Sequence, residues 1–498
     1  MRAKVVNLYG DEAAPPEAAL RPTGEAFVRS GEFAYDLFPA RPLGAHRVEV
    51  WVEDAAGARI SPVAEVVVNR VQRPRYWGVD APQSAFGGHF TATPYDIAMA
   101  KAIGINWIRL HDFGMYYSGW RWLEPQKGTW TFADNKIDRL RRGKVSILGL
   151  LSTTPPWATV LPNGGEGYWG AFGQPKDYDE FASYVTRTVE HYRGRIAVYE
   201  VWNEPWISEF WSAGAGTPYN VHSADPQGDY ARLTKRAYEA AKAVDPSIAI
   251  IGLNTTANRP EPPRIIGGHD WTTGMMKHDF LKHSDVISYH NYMGGLNGFA
   301  GDGVDQGFDY AFKPLMNADG QLPKPVWMTE GNSGGYPGTG FYRHTLVGPN
   351  YEDGAQVADN LCRYVLSMMG RGVEKVFLYS MTTRGSHWAT LVNFDGTLNP
   401  SGVAFAHMAW QLEDLKFVRR IEPMPDVTAF LFAGAGRSVA VLAPRGSVRA
   451  QVLPNAVAGC TVTDLWGNAL PAGATFDGMV VYVATAGPVD AIERAIKP

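Results

Sequence analysis

The sequence predicts a (β/α)₈ barrel, the TIM-barrel fold, with a small β-domain at each end. Three observations point there. Short apolar strands alternate with amphipathic segments from Tyr76 to Gln411. No glycine-rich phosphate loop follows the first strand, which argues against a doubly wound open sheet. The segments before and after read as strands and turns alone. With 498 residues, 45% hydrophobic and 19% charged, a large core is available and wholesale disorder is excluded.

Residues 1–72 read as strands. Val48, Val50 and Val52 alternate with Arg47, Glu49 and Trp51, Ala55-Ala56-Gly57 supplies a turn, and Val66-Val67-Val68 a further strand. Arg73-Pro74-Arg75 ends this piece, so domains are expected at 1–73 (β-sandwich-like), 74–414 (barrel) and 415–498 (C-terminal β-domain). The barrel strands are expected at Tyr76–Asp80, Asn106–His111, Val145–Leu151, Ala197–Trp202, Ile248–Leu253, Val286–His290, Val326–Glu330 and Lys375–Ser380. Helical stripes lie between them. One is Phe181, Tyr184, Val185, Val189 and Tyr192; another is Tyr230, Leu233, Ala237 and Ala241; a third is Val357, Leu361, Cys362, Val365, Met368 and Met369. After about Gln411 the pattern returns to strands at Val427–Phe432, Ser438–Leu442, Val448–Leu453 and Met479–Val483, with turns such as Trp466-Gly467-Asn468 between them. The first and last β-pieces are expected to pack together beside the barrel.

Lys plus Arg number 46 against 50 for Asp plus Glu, a net charge of −4. That balance argues against a dedicated nucleic-acid or anionic-membrane partner. No apolar run is long enough for a transmembrane helix, and the start MRAKVVNLYGDEAAPPE lacks the apolar stretch of a signal peptide. The expected location is therefore cytoplasmic, or secreted with the signal removed. Two cysteines, Cys362 and Cys460, exclude a disulfide scaffold and a cysteine-based metal cluster, and Cys362 is expected as a buried free thiol. The 16 Trp, 23 Tyr, 22 Phe and 54 Gly suit a protein that stacks on flat apolar rings, sugars included.

In such a barrel the chemistry sits at the C-terminal ends of the strands. The fourth strand leaves through Trp202-Asn203-Glu204-Pro205-Trp206, and the seventh ends Met328-Thr329-Glu330-Gly331. Strands four and seven lie across the ring from one another, so Glu204 and Glu330 can face a single cleft. Two carboxylates flanking a substrate are what glycoside hydrolysis needs: one protonated to assist the leaving oxygen, one ionised to attack the anomeric carbon or activate water.

Asn203-Glu204-Pro205 after an aromatic-rich strand resembles the clan A glycoside hydrolases, and Thr329-Glu330-Gly331 resembles their strand-seven motif. The resemblance covers about Tyr76 to Gln411 and is nearest to family 39, the β-xylosidase and α-L-iduronidase relatives. It implies a retaining glycosidase acting on an oligo- or polysaccharide, with Glu204 as acid/base and Glu330 as nucleophile. Arg109, in Trp107-Ile108-Arg109-Leu110-His111, would hold Glu330 ionised, and His111 belongs to the same strand exit. His290 and Tyr292 of His290-Asn291-Tyr292 would flank the carboxylates, and Asn203 would meet the sugar 2-hydroxyl. Trp157, Trp206, Trp211 and Trp388 follow strands three, four and eight, where stacking platforms are expected. Leu378-Tyr379-Ser380-Met381 departs from the family pattern by lacking a Trp at strand eight. No cofactor is expected, since carboxylates fill both roles, and no metal: His111-Asp112, His269-Asp270 and His278-Asp279 lack the His-Glu-x-x-His spacing. The alternatives are a transglycosylase and a non-catalytic carbohydrate-binding protein on the same scaffold. Sugar, linkage and oligomeric state stay open at this level.

Overall fold

A computed structural model of the chain describes residues 2–7, 12–13, 21–22, 29–30, 43–214, 220–292, 300–333, 351–382, 390–393, 396–434, 436–444, 451–452, 459–471, 474–476 and 478–496. At its centre eight parallel strands close into a barrel. They are β1 (Phe86–Gly88), β2 (Trp107–Arg109), β3 (Ser146–Leu151), β4 (Val198–Val201), β5 (Ala249–Thr256), β6 (Val286–Tyr292), β7 (Val326–Asn332) and β8 (Val373–Leu378). They pair in sequence order, and β8 returns to β1 through Val376↔Phe86 and Leu378↔Gly88.

Seven strands fall where the apolar pattern puts them; the first does not. Tyr76–Asp80 is a surface turn whose Trp77 and Val79 are exposed, and β1 begins later, at Phe86. The true strand, Phe86-Gly87-Gly88, is short and two-thirds glycine, so it carries almost no apolar signal. Its glycine is sterically required: a Cβ on Gly87 would stand 2.5 Å from the Phe377 ring of β8.

The amphipathic stripes become helices that bury the expected faces. Tyr178–His191 starts at Asp177, which caps the Asp179 N–H, and buries Phe181, Tyr184, Val185 and Val189. Pro226–Val244 starts at Asp225 and buries Tyr230, Leu233, Ala237 and Ala241. Tyr351–Gly370 carries the buried stripe with Cys362, a free thiol. Inside the barrel Trp107, Leu148, Val198, Ile251, Val286, Trp327 and Phe377 pack as one layer. Lys375 closes it, its Nζ 4.8 Å and 5.1 Å from the Trp107 and Trp327 rings while it donates to the carbonyls of Pro82 and Ser84. Side chains therefore fill the barrel at this end.

Before the barrel, an antiparallel sheet runs in the order Glu12–Ala13, Arg2–Asn7, Gly44–Trp51, Ala64–Arg70. After it, a second runs Lys416–Met424, Val427–Gly434, Arg437–Pro444, Val481–Thr485, Cys460–Thr463. The helix Val489–Ile496 covers one face of that sheet with Ile492 and Ile496. The two β-segments touch: the Asn468 amide accepts from the Leu43 N–H and donates to the Leu43 carbonyl, both at 2.9 Å. Among the described residues no helix is long and apolar enough to cross a membrane.

Candidate active site

Glu200, Glu204 and Arg109 show how strand ends build the site. Glu200 and Arg109 lie inside buried strands, fully shielded from solvent, and charge survives there only if paired. They pair with one another, Arg109 Nε donating to Glu200 Oε2 at 2.6 Å. Thr329 Oγ1 donates to the other Glu200 oxygen at 2.8 Å. The remaining guanidinium nitrogens reach upward, one to Glu330 Oε2 at 2.7 Å and one to Asn203 Oδ1 at 2.9 Å. A single planar fork thus ties β2, β4 and β7 together beneath the mouth.

Glu330 receives two further groups. Tyr292 donates to its Oε1 at 2.7 Å, and His111 Nδ1 lies 3.3 Å from its Oε2. The close crossing is permitted by Gly331, where a Cβ would meet the Asn291 carbonyl at 2.2 Å. Glu204 projects from a turn in which Trp202 and Glu204 both take left-handed backbone, φ +67° and +45°. Non-glycine residues rarely adopt that region, and strain of this kind gathers at functional sites. Asn254 holds the turn, accepting from the Glu204 N–H and donating to the Trp202 carbonyl. The Glu204 carboxyl faces His290, with Nδ1 and Oε1 2.9 Å apart.

Burial acts on both carboxyls and the neighbours separate them. Glu204 is pushed up to about 8 by burial first and then by the negative charge of Glu330. Burial would raise Glu330 as well. The contact and charge of His111, 3.3 Å away, with Arg109 behind them, outweigh it and hold Glu330 well below the usual carboxylate range. Burial lowers His290 to about 4, so it faces Glu204 as a neutral ring. His111 is raised because Asp112 and Glu330 overcome its burial. At neutral pH the pair therefore consists of one protonated and one ionised carboxyl, the division of labour that acid-assisted displacement requires.

An oxygen of Glu204, an oxygen of Glu330 and a nitrogen of His290 lie within 4.8 Å of one another; His89, His111 and Glu330 form a second such group. Either set could in principle hold a cation. The Glu330 carboxylate that both share is already hydrogen-bonded by Tyr292 and ion-paired with Arg109, whose positive charge opposes a second cation there.

Of the aromatic residues singled out in the sequence, Trp206 and Trp211 are buried and present no face to solvent. Trp157 packs edge-on against Trp120 and donates to the Glu124 carbonyl, beneath Lys127. Trp388 lies outside the described residues. On the loop after β3, Tyr168 and Trp169 are exposed, with Phe210 from the loop after β4 against Trp169. Sequence reasoning also passed over Glu200, although a lone acid within Val198-Tyr199-Glu200-Val201 signals a buried charge awaiting a partner.

No family model matches the chain. A β-xylosidase of Geobacillus stearothermophilus is 30% identical over 141 residues, a match spanning 25% of this chain and 23% of that relative's length. Among solved structures, a family 39 glycoside hydrolase from Bacteroides cellulosilyticus superposes with a TM-score of 0.66 at 17% identity, covering 97% of this chain and 94% of that one. A monomeric β-xylosidase from Caulobacter crescentus gives 0.52 at 16% identity, covering 83% and 97%. These likenesses establish the barrel with its flanking β-segments, and they fall on the family that the Asn-Glu-Pro and Thr-Glu-Gly motifs resemble.

Proposed function

We propose that the chain hydrolyses O-glycosidic bonds of an oligo- or polysaccharide with retention of anomeric configuration, Glu330 acting as nucleophile and Glu204 as acid/base. The observation that carries this is the facing of two buried carboxyls at the exits of β4 and β7, their oxygens within 4.8 Å, with Arg109 and Tyr292 bound to Glu330 and His290 against Glu204. Retaining enzymes hold their carboxyls about 5–5.5 Å apart, whereas inverting ones leave about 6.5–9.5 Å for a water. Glu330 would attack the anomeric carbon while Glu204 delivers its proton to the leaving oxygen. Once ionised, Glu204 would draw a proton from the water that releases the sugar. The unpartnered Asn203 amide N–H, beside Arg109, is placed to donate to the substrate as charge develops. A merely sugar-binding protein has no use for a carboxyl held protonated beside an ionised one.

The matched relatives include β-xylosidases, so β-xylosides are the first substrates to try. Proton NMR of the first product released from 4-nitrophenyl β-D-xylopyranoside tests the mechanism. The β-anomer appearing first is expected; the α-anomer appearing first refutes retention.

A further inference from the structure

A third carboxylate stands in the mouth of the barrel and the mechanism above does not use it. Asp112 follows His111 at the exit of β2, in left-handed backbone (φ +48°), and its side chain is 23% exposed. Two tyrosines from distant parts of the chain clamp it. Tyr168 donates to Oδ1 at 2.9 Å and Tyr379, at the exit of β8, donates to Oδ2 at 2.7 Å. Burial would raise its pKa, but His111 and the two tyrosyl donors keep it below the ordinary value, so it is ionised. Among the described residues those hydroxyls are its only hydrogen-bond donors, leaving about half of a carboxylate's four acceptor positions open on the exposed edge.

Its position relative to the nucleophile is informative. His111 stands between them, Nδ1 3.3 Å from Glu330 and Nε2 4.0 Å from Asp112. The two carboxylates are thus one imidazole ring apart, with a contact on each side. The 3- and 4-hydroxyls of a pyranose stand a comparable distance from its C1, the carbon that Glu330 would attack. Beside Asp112 rises an aromatic wall: Tyr168 and Trp169 are 5.0 Å apart by ring centroid, Trp169 and Phe210 5.1 Å, and Phe210 stands 6.3 Å from His111. A carboxylate at the foot of exposed rings matches the chemistry of a sugar, whose hydroxyl edge donates and whose C–H face is apolar.

We propose that Asp112 is a specificity-determining residue that accepts the 3- and 4-hydroxyls of the sugar ring under attack, with the Tyr168–Trp169–Phe210 wall closing that side. The proposal rests on the glycosidase reading and deepens it. Its rival is that Asp112 acts only through His111 on Glu330.

The test compares the full chain with Asp112→Asn and Tyr379→Phe. The wild type is assayed on 4-nitrophenyl β-D-xylopyranoside and 4-nitrophenyl β-D-glucopyranoside, and on the 3-deoxy and 4-deoxy forms of whichever is cleaved faster. Removing a hydroxyl that meets a charged acceptor should cost the wild type about tenfold to a hundredfold in kcat/KM. Asp112→Asn should lose a similar factor on the parent glycoside and little more on the deoxy forms. Tyr379→Phe, which keeps the carboxylate and loosens one clamp, should show the same pattern at smaller size, and it serves if the Asp112 variant does not fold. Equal losses on parent and deoxy substrates, with a shifted acid limb of the pH profile, overturn the proposal in favour of action through His111 and leave the glycosidase reading standing. If the wild type cleaves neither glycoside, binding of free D-xylose is followed by tryptophan fluorescence. Binding weakened by Asp112→Asn then upholds the subsite while the glycosidase reading fails; binding that is absent or unchanged overturns the subsite.

Discussion

Replacing Glu204 by Gln isolates the proton that the proposed mechanism depends on. The carboxyl is held at about 8, against about 4.3 for an unperturbed Glu, so it is almost wholly protonated at pH 7. Activity that needs that proton is full below this value. It is half lost near pH 8 and falls about tenfold for each further unit. Gln keeps the shape of the side chain and delivers no proton. For a sugar or alkyl leaving group the loss should be about 10²–10⁴-fold, the usual contribution of a positioned acid. A 2,4-dinitrophenyl glycoside leaves as a stable phenolate, so its glycosylation step should be nearly unaffected, and azide should accelerate turnover to a glycosyl azide of retained configuration. The assay is kcat/KM against pH for two leaving groups in both proteins. The wild type should show the alkaline limb near 8 with the poor leaving group, and the variant should lack it. A limb that persists in the Gln variant, or a defect of equal size for both leaving groups, would refute the assignment of the proton to Glu204.

Glu330→Ala should lose turnover whatever the leaving group, and azide should then attack directly to give the inverted glycosyl azide, identified by NMR; a retained product would reverse the two roles. Arg109→Met removes one partner of a fully buried ion pair and leaves Glu200 uncompensated. A loss of about 3–5 kcal/mol in chemical unfolding is expected, and a change under about 1 kcal/mol would show that the fork is not holding the strands. Incubation with EDTA should leave glycoside cleavage intact; loss of activity restored by a divalent ion would sink the carboxylate-only mechanism.

The two glutamates were legible because their neighbours encode strand exits: an aromatic run into Asn203-Glu204-Pro205, and Val326-Trp327-Met328-Thr329 into Glu330-Gly331. Register did the rest, since three strand–helix units place them across the ring. What stayed hidden depended on contacts that the pattern does not record. β1 escaped notice because the Phe377 ring needs the space that a side chain on Gly87 would fill. Asp112 was visible only as a neighbour of His111, because its clamps, Tyr168 and Tyr379, lie 56 and 267 residues away in sequence. Sequence position offered Trp157, Trp206, Trp211 and Trp388 as platforms, without saying which way each ring turns. The loop after β4 turns Trp206 and Trp211 inward, and the loop after β3 turns Tyr168 and Trp169 out. Backbone path decides such orientation, and helical or strand periodicity says nothing about a loop.

How two equivalent glutamates acquire opposite protonation follows from the asymmetry of their surroundings. Two carboxyls this close in a buried site cannot both ionise cheaply, so they hold about one proton between them at neutral pH. Burial does not choose which, because both are shielded almost equally. The cations choose. Arg109 touches Glu330 directly and is anchored below by Glu200, so it cannot swing toward Glu204. His111 is kept charge-prone by Asp112 and leans on the same carboxylate. The Glu204 carboxyl is hydrogen-bonded to His290, whose ring burial keeps neutral, and feels the charges of His111 and Arg109 without a contact to either among the described residues. The proton therefore rests on Glu204 and the charge on Glu330, the distribution that the proposed acid/base and nucleophile roles require before any substrate arrives.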